Sequence, residues 1–154
     1  MALKAVCVIV GQLIGTILFT QENANTPLSI SGTISNLTQG EHGFHVHEYG
    51  DIRNNCLAAG AHFNPFHKDH GAPNDEIRHV GDFGNIMANN ENVATFSMTD
   101  RLAQLYGENT ILGRAIVVHS GQDDLGKGGN EESKKTGNAG SRLGCCVIGI
   151  AKSD

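Results

Sequence analysis

The chain of 154 residues has the length of one domain, and we predict a single domain over residues 1–154. Its formal net charge of −5, without any lysine- or arginine-rich run, argues against nucleic acid and anionic membranes as partners. Its 20 glycines argue against long helices, because each interior glycine costs a helix about 1 kcal/mol relative to alanine.

Short β-rich runs follow one another along the chain. Turn residues such as Gln39-Gly40 and Gly107-Glu108-Asn109 separate them. The predicted strands are Leu3–Val10, Gly15–Gln21, Leu28–Asn36, Glu41–His47, Asp82–Ala88, Val93–Thr99, Arg114–His119 and Cys145–Ala151. Eight strands without a long helix favour an all-β fold, either an antiparallel barrel or a sandwich.

The apolar N-terminal run, MALKAVCVIVGQLIGTILFT, has some features of a signal peptide. However, Gly11, Gln12 and Gly15 interrupt it, no A-x-A-type cleavage site follows, and it is shorter than the roughly 18 apolar residues of a membrane span. We interpret the run as two strands joined by a tight turn, and we expect a cytoplasmic protein without a membrane partner.

Two long polar segments, Glu48–Gly81 and Ser120–Gly144, interrupt the strand pattern. Structureless loops of more than about 15 residues are usually functional or disordered, and the histidines in the first segment favour function. In the second segment, Glu131 and Glu132 precede two lysines and Gly137. Acidic residues at the start, basic residues at the end and a following glycine predict a short helix.

The stretch GFHVHEYGD places two histidines on one strand face. Side chains two residues apart on a strand point the same way, so His45 and His47 lie together, opposite Phe44 and Val46. His119 ends another strand and shares its face with Ala115 and Val117 by the same alternation. Imidazole ligands without thiolate favour copper or zinc.

The first long segment supplies a second set of metal-binding residue types. His62, His70, His79 and Asp82 offer three imidazoles and a carboxylate, which suit a four-coordinate structural zinc ion. The strand histidines need one further imidazole. His62 could supply it and serve both ions through its two ring nitrogens, but the spacing alone does not force that bridge.

Seven stretches between Lys4 and Ala151 resemble the copper/zinc superoxide dismutase family. They are GFHVHEYGD, GAHFNP, HGAP, RHVGDFGN, GRAIVVH, DDLGKGGNEES and KTGNAGSRLGC. The resemblance implies an eight-stranded antiparallel Greek-key β-barrel or sandwich, of immunoglobulin-like type, with two long functional loops. It also implies an antioxidant enzyme that converts superoxide to dioxygen and hydrogen peroxide.

The resemblance also implies roles for residues at matching positions. One copper ion per subunit is expected on His45, His47, His62 and His119. One zinc ion per subunit is expected on His62, His70, His79 and Asp82. Arg142 is expected beside the copper, with His62 as ligand and acid, Asp123 linking His45 to His70, and Cys56 bonded to Cys145.

Cysteine and histidine positions outside these roles carry further expectations. Alternation points Cys145 and Cys146 to opposite faces, which favours Cys56–Cys145 over Cys56–Cys146. We interpret Cys7 as a buried free thiol. His42 matches a structural position rather than a ligand, and His67 matches no ligand and is expected to be exposed.

The family resemblance further implies a homodimer and a copper chaperone that loads the metal. Residues on or near the family interface are Tyr49, Gly50, Gly113, Ile148 and Ile150, although ordinary core and turn residues would look the same. Three rival functions are a non-enzymatic copper carrier, a zinc hydrolase and an adhesion sandwich. The complete ligand set argues against the carrier and the adhesion domain, and the lack of an open zinc position argues against the hydrolase.

Overall fold

The structure, a computed structural model, describes residues 2–153. In these residues nine antiparallel strands form one sheet that curls into a nearly closed barrel, with the spatial order β8-β7-β4-β5-β6-β3-β2-β1-β9. The strands are β1 Leu3–Ile9, β2 Ile14–Gln21, β3 Leu28–Ser35, β4 Gly40–His47, β5 Asp82–Ala88, β6 Val93–Asp100, β7 Ala115–His119, β8 Arg142–Val147 and β9 Gly149–Ile150. The connections from β3 to β4 and from β6 to β7 each pass two intervening strands, which gives the predicted Greek-key topology.

The predicted strands are confirmed within a few residues, with one difference at the C-terminal end. The run predicted as a single strand begins earlier, at Arg142, and divides at Ile148 into β8 and β9. Ile148 is buried and exchanges backbone hydrogen bonds with Gly113 and Arg114, beside β7. After it the chain changes partner, because β9 pairs with β1. This change of partner brings the last strands back to the first.

The N-terminal run forms the predicted hairpin. β1 pairs with β2 from Leu3↔Gln21 to Ile9↔Gly15. Alternate residues of β1, such as Cys7 and Ile9, face the core, while Val8 is 55% exposed. None of the helices within residues 2–153 has the length and apolarity of a membrane-spanning helix.

The two faces of β4 and β7 are both covered. Phe44 and Val46 face the barrel interior and are fully buried. The Phe44 ring packs on Phe96, with ring centroids 5.1 Å apart. The opposite face is buried as well, since every residue of β7 and the last six of β4 are buried. The covering comes from the two long segments between β4 and β5 and between β7 and β8.

The long segments are ordered loops with little regular structure. The first contains a three-residue 3₁₀ helix, Leu57–Ala59, and the second contains another, Glu132–Lys134. The second helix lies where a short helix was predicted, and it is a single 3₁₀ turn. Gly137 follows it with a φ of 72°, as a C-terminal glycine should. The amide of His70 donates to the carbonyl of Lys134 at 2.7 Å, which ties the two loops together.

Both faces of β8 carry a disulfide. Cys56 is bonded to Cys145, as predicted, and this bridge fastens the first loop to the outer face of the barrel. The interpretation of Cys7 as a free thiol was wrong, because Cys7 is bonded to Cys146 inside the barrel. Both residues point inward, and the curling of the sheet brings β1 and β8 together despite a sequence separation of 139.

Candidate metal centre

Strand register places three histidines on the outer barrel face. His45 pairs with Val117 and His47 with Ala115, so β4 and β7 present these residues on the same side. His119 follows Val117 by two residues and therefore lies on that side as well. All three side chains are almost completely buried beneath the loops.

The first loop returns to β4 and inserts His62 beside His47. A β-bridge joins His47 to His62, and the amide of Phe63 donates to the carbonyl of Val46 at 2.8 Å. The His62 ring therefore lies 4.1 Å from the ring of His45, measured between centroids. The remaining ligand candidates, His70, His79 and Asp82, follow along the same loop and at the start of β5.

The predicted ligands form two clusters that share one residue. The all-histidine cluster consists of His45, His47, His62 and His119, and the aspartate cluster consists of His62, His70, His79 and Asp82. In each cluster the ligand atoms lie within 4.8 Å of one another. The structure thus brings together all seven residues that the sequence nominated, and it places His62 in both clusters.

Interatomic distances show which ring nitrogen of His62 faces which cluster. His62 Nδ1 lies 3.0 Å from Asp82 Oδ1 and 3.2 Å from His79 Nδ1, so it belongs to the aspartate cluster. His62 Nε2 is the other nitrogen and is left for the all-histidine cluster. In that cluster, the Nε2 atoms of His47 and His119 are 3.4 Å apart.

Two buried ring nitrogens that face the all-histidine cluster, His45 Nδ1 and His62 Nε2, lack a hydrogen-bond partner among the described residues, whereas His70 Nδ1 lies 2.9 Å from Asp82 Oδ1. Buried polar atoms are rarely left in this state unless an ion or another group satisfies them. The donor sets fit the expected metals, since four imidazole nitrogens suit copper and three imidazoles with one carboxylate suit tetrahedral zinc.

Carboxylate and carbonyl groups hold the far side of the histidine rings. Asp123 accepts hydrogen bonds from His45 Nε2 and His70 Nε2, each at 2.7 Å, and so links the two clusters as predicted. His47 Nδ1 donates to the carbonyl of Gly60 at 2.8 Å. His119 Nδ1 donates to the carbonyl of Gly140 at 3.1 Å. Such bonds fix the tautomer and orientation of a metal-binding imidazole.

Asp123 is itself held by groups that the sequence reasoning missed. Its amide donates to Asn85 Oδ1 at 2.7 Å, and Asn85 Nδ2 donates to its carbonyl at 3.0 Å. Gly137 leaves room for the carboxylate, because a Cβ atom there would overlap Asp123 Oδ1. The carbonyls of Gly60 and Gly140 were also missed, since no sequence pattern indicates which backbone carbonyl accepts a hydrogen bond from a side chain.

Burial keeps the imidazoles of the all-histidine cluster uncharged, which is the form that binds a cation. Burial lowers the pKa of His45 and of His47 well below the ordinary value, and repulsion from His62 adds to the effect. Burial also lowers the pKa of His62, against the opposing hydrogen bond to Asp82, and lowers that of His119 to about 4. These imidazoles are therefore neutral at pH 7, as ligands must be.

The aspartate cluster has the opposite electrostatic character. Burial alone would lower the pKa of His70, but hydrogen bonds to Asp123 and Asp82 raise it to about 9. Burial would raise the pKa of Asp82, but hydrogen bonds from His62, His70 and His79 lower it strongly. The cluster therefore contains a firmly ionised carboxylate and, without metal, a protonated histidine. The ionised carboxylate favours a divalent cation, which has to displace the proton of His70.

Arg142 lies beside the all-histidine cluster and faces a cavity of about 790 Å³. Its Nη1 donates to the carbonyl of Cys56 at 2.8 Å, and its Nη2 donates to the carbonyl of Gly60 at 2.7 Å. The cavity reaches His62 and His119, and Lys134 and Lys135 of the second loop also line it. A small anion that enters the cavity thus meets fixed positive charge near the histidine rings.

The two remaining predicted histidine positions behave as expected. His42 is buried and spans two backbone carbonyls, with Nδ1 2.8 Å from that of His119 and Nε2 2.8 Å from that of Thr38. It belongs to neither cluster. His67 is exposed and lies on the wall of the cavity.

A Greek-key barrel with two buried ligand clusters that share an imidazole defines a metalloprotein with a two-metal centre. The sequence profile described as copper/zinc superoxide dismutase matches residues 13–148. A protein of Dictyostelium discoideum, "Superoxide dismutase [Cu-Zn] 5", is 56% identical over 151 residues, which cover 97% of this chain and 99% of that protein. The chain belongs to the copper/zinc superoxide dismutase family, whose members are oxidoreductases that use copper and zinc.

Proposed function

We propose that this protein is an antioxidant enzyme that converts superoxide to dioxygen and hydrogen peroxide, with copper at the all-histidine cluster and zinc at the aspartate cluster. The observation that carries the proposal is the position of His62, whose two ring nitrogens face different clusters. A simple zinc site would need one cluster only. An imidazole shared between two cation sites suits chemistry that couples electrons to protons.

Copper, when bound, supplies the one-electron chemistry by changing between two oxidation states. The chain supplies the proton and the geometry. Two superoxide ions and two protons give one dioxygen and one hydrogen peroxide, so the site must deliver protons to the product. His62 Nε2, which faces the all-histidine cluster, is the atom at which this ring would take up a proton and pass it to the product. Its lowered pKa, caused by burial, makes the protonated ring a ready acid.

The Arg142 guanidinium guides and holds the substrate. Superoxide is a small anion and the protein is net negative, so local positive charge has to overcome the overall repulsion. Two backbone carbonyls fix the guanidinium, and its remaining N–H groups suit a diatomic anion. Lys134 and Lys135 also line the cavity, together with the carboxylates of Glu48, Asp69 and Glu132, so Arg142 is the cation on which the guidance depends.

Metal analysis combined with the rate of superoxide decay tests this proposal. The reconstituted protein should contain one copper and one zinc per chain and should consume superoxide in a pulse-radiolysis experiment. Arg142→Ala should lower the second-order rate by about tenfold, within the range of electrostatic focusing, of which superoxide dismutase is itself an established example. The metal content should not change. Arg142→Lys, which keeps the charge but loses the forked N–H groups of the guanidinium, should have an intermediate second-order rate.

The dismutase activity and the guidance role of Arg142 each have a result that would refute them. A fully loaded protein that does not consume superoxide would be a metal carrier rather than an enzyme. An unchanged rate in Arg142→Ala would remove the guidance role while leaving the dismutase activity in place. The two outcomes are distinguishable because the first concerns the wild-type protein and the second only the variant.

We also propose that the protein is a homodimer through the outer surface beside β8 and β9. Tyr49 is 57% exposed and Ile150 is 81% exposed, while Gly50 packs against Gly113. Ile148 is fully buried in the core, so it supports this surface from within instead of forming contacts. Ile150→Glu should shift the sedimentation coefficient to that of a monomer. Met87→Glu, at another exposed apolar residue, should leave it unchanged.

Metal loading by a copper chaperone and a cytoplasmic location complete the proposed function. The all-histidine cluster is buried under two loops, which supports assisted delivery of copper. Expression in cells with and without a copper chaperone, followed by copper analysis, tests delivery. Cell fractionation tests the location, with a secreted protein as the contrary outcome.

A further inference from the structure

The barrel closes at a seam with few backbone hydrogen bonds. β9 pairs with β1 through Ala5↔Ile150 and Val6↔Gly149, and β8 pairs with β7 rather than with β1. Within residues 2–153, the second half of β1, from Cys7 to Ile9, therefore pairs with β2 on one side and has no strand partner on the seam side. Side chains fill this part of the seam, where Gly144 lies against Ile9 and Leu13.

The Cys7–Cys146 disulfide crosses the seam at this unpaired part. Cys7 pairs with Ile17 of β2, and Cys146 pairs with Ile116 of β7, so the bridge connects strands that have no hydrogen-bond ladder between them. Their Cα atoms are 5.4 Å apart, within the range that a disulfide spans. Cys7 is 0% exposed and Cys146 is 2% exposed, which places the bridge in the core.

The neighbouring Cys56–Cys145 bridge lies in a different environment. It joins β8 to the first loop on the outer face, where Cys56 is 6% exposed and Cys145 is half-buried. A reductant must approach a disulfide sulfur directly, so exposure controls the rate of reduction. Loop movement suffices to expose the outer bridge, whereas exposure of the inner bridge requires the barrel to open.

We propose that the Cys7–Cys146 disulfide locks the barrel seam and keeps the barrel closed after the outer bridge has been reduced. The strands that carry His45, His47 and His119 then keep their register. The loop that carries His62 loses its covalent link to β8 and keeps the hydrogen bonds from Arg142. One disulfide thus fastens the loop, and the other holds the barrel closed.

Reduction by a dithiol is the chemical step in this proposal. The dithiol transfers two electrons and two protons, its own sulfurs form a disulfide, and one S–S bond of the protein becomes two thiols. Each bridge therefore yields its own pair of cysteines that can be alkylated. The order of reduction can be followed residue by residue.

The first experiment measures this order in the full-length protein as purified. The protein is treated with dithiothreitol without denaturant, thiols are trapped with iodoacetamide at timed intervals, and peptide mass spectrometry locates them. Cys56 and Cys145 should be alkylated at least about tenfold faster than Cys7 and Cys146. Equal rates, or free thiols at Cys7 and Cys146 before treatment, would overturn the proposal.

The second experiment isolates the effect of the inner bond. The variant Cys56→Ser/Cys145→Ser retains only the inner bridge, and its oxidised and reduced forms differ by that one bond. The oxidised form should unfold at a temperature about 5–15 °C higher than the reduced form. Equal midpoints would show that the bond does not lock the seam. If this variant fails to fold, the alkylation order in the wild-type protein still decides the question.

Discussion

The Asp123 carboxylate connects the two candidate metal sites, so its removal should weaken both. Its oxygens accept from His45 Nε2 and His70 Nε2 at 2.7 Å each, one ring from each cluster. Loss of such a partner typically lowers metal affinity by about 10- to 100-fold, equivalent to about 1.4–2.7 kcal/mol per site. We therefore expect Asp123→Ala to lose affinity for copper and zinc together.

Competition against a chromophoric chelator measures the two affinities separately. Asp123→Asn should be intermediate, because the amide oxygen can accept from one histidine while the amide nitrogen cannot accept from the other. Asp124→Asn is the matched control. Asp124 bonds to Ser133 and Asn138 of the same loop, and its described hydrogen bonds include none to a histidine ring.

Unchanged affinity for both ions in Asp123→Ala would refute this reasoning. The histidine rings would then be fixed by packing alone, without the carboxylate. Loss of one affinity only would show that the linking carboxylate acts on a single cluster, contrary to its symmetric distances. An equal loss in Asp124→Asn would attribute the effect to loosening of the loop.

Four further predictions concern stability and proton coupling. Arg78→Ala should lower the free energy of unfolding by about 3–5 kcal/mol in urea titrations. The reason is that it removes the partner of the buried Asp100 carboxylate, which lies 2.7 Å from the Arg78 guanidinium; a loss below about 1 kcal/mol would contradict this. Gly137→Ala should weaken zinc binding by displacing the linking carboxylate, whereas Gly129→Ala, also at positive φ but beside open space, should not. The metal-free protein should lose at least about 3 kcal/mol of unfolding free energy as the pH falls from about 6.5 to about 4. The reason is that the pKa of buried His119 is about 4, those of the other histidines of its cluster are lowered as well, and the unfolded chain binds these protons first; a flat profile would refute this. Zinc uptake near pH 7 should release the proton of His70, whose pKa is raised to about 9, and calorimetry in buffers of different ionisation enthalpy should detect it.

Strand periodicity predicted the central part of the fold because it is a local signal. The alternation in GFHVH placed Phe44 and Val46 inward and His45 and His47 outward, and the observed packing confirms both faces. The bounds of β5 agree with the prediction, since polar turns delimit that strand on both sides. The ligand residues were nominated by residue type and by family motifs. Their convergence, however, depends on loop paths that no local pattern encodes.

The features that the sequence did not predict are those decided by distant backbone contacts. The division between β8 and β9 occurs because Ile148 bonds to Gly113 and Arg114, which are more than 30 residues away in sequence. The Cys7–Cys146 bridge was not predicted because its two cysteines, 139 residues apart in sequence, come together only when the barrel closes. Alternation did predict that Cys145 and Cys146 face opposite sides. That prediction alone did not identify a partner for the inward-facing thiol.

The outer bridge and the metal centre are physically continuous, which gives the two disulfides different consequences for chemistry. Arg142 donates to the carbonyl of Cys56 and to that of Gly60, and the Gly60 carbonyl also accepts from His47 Nδ1. Release of Cys56 from β8 therefore loosens the acceptors that orient the guanidinium and one imidazole of the all-histidine cluster. The inner bridge contacts none of these groups within residues 2–153, because it lies on the opposite face of β8. Reduction of the outer bridge should thus impair substrate guidance and copper binding while the barrel keeps the ligand strands in register.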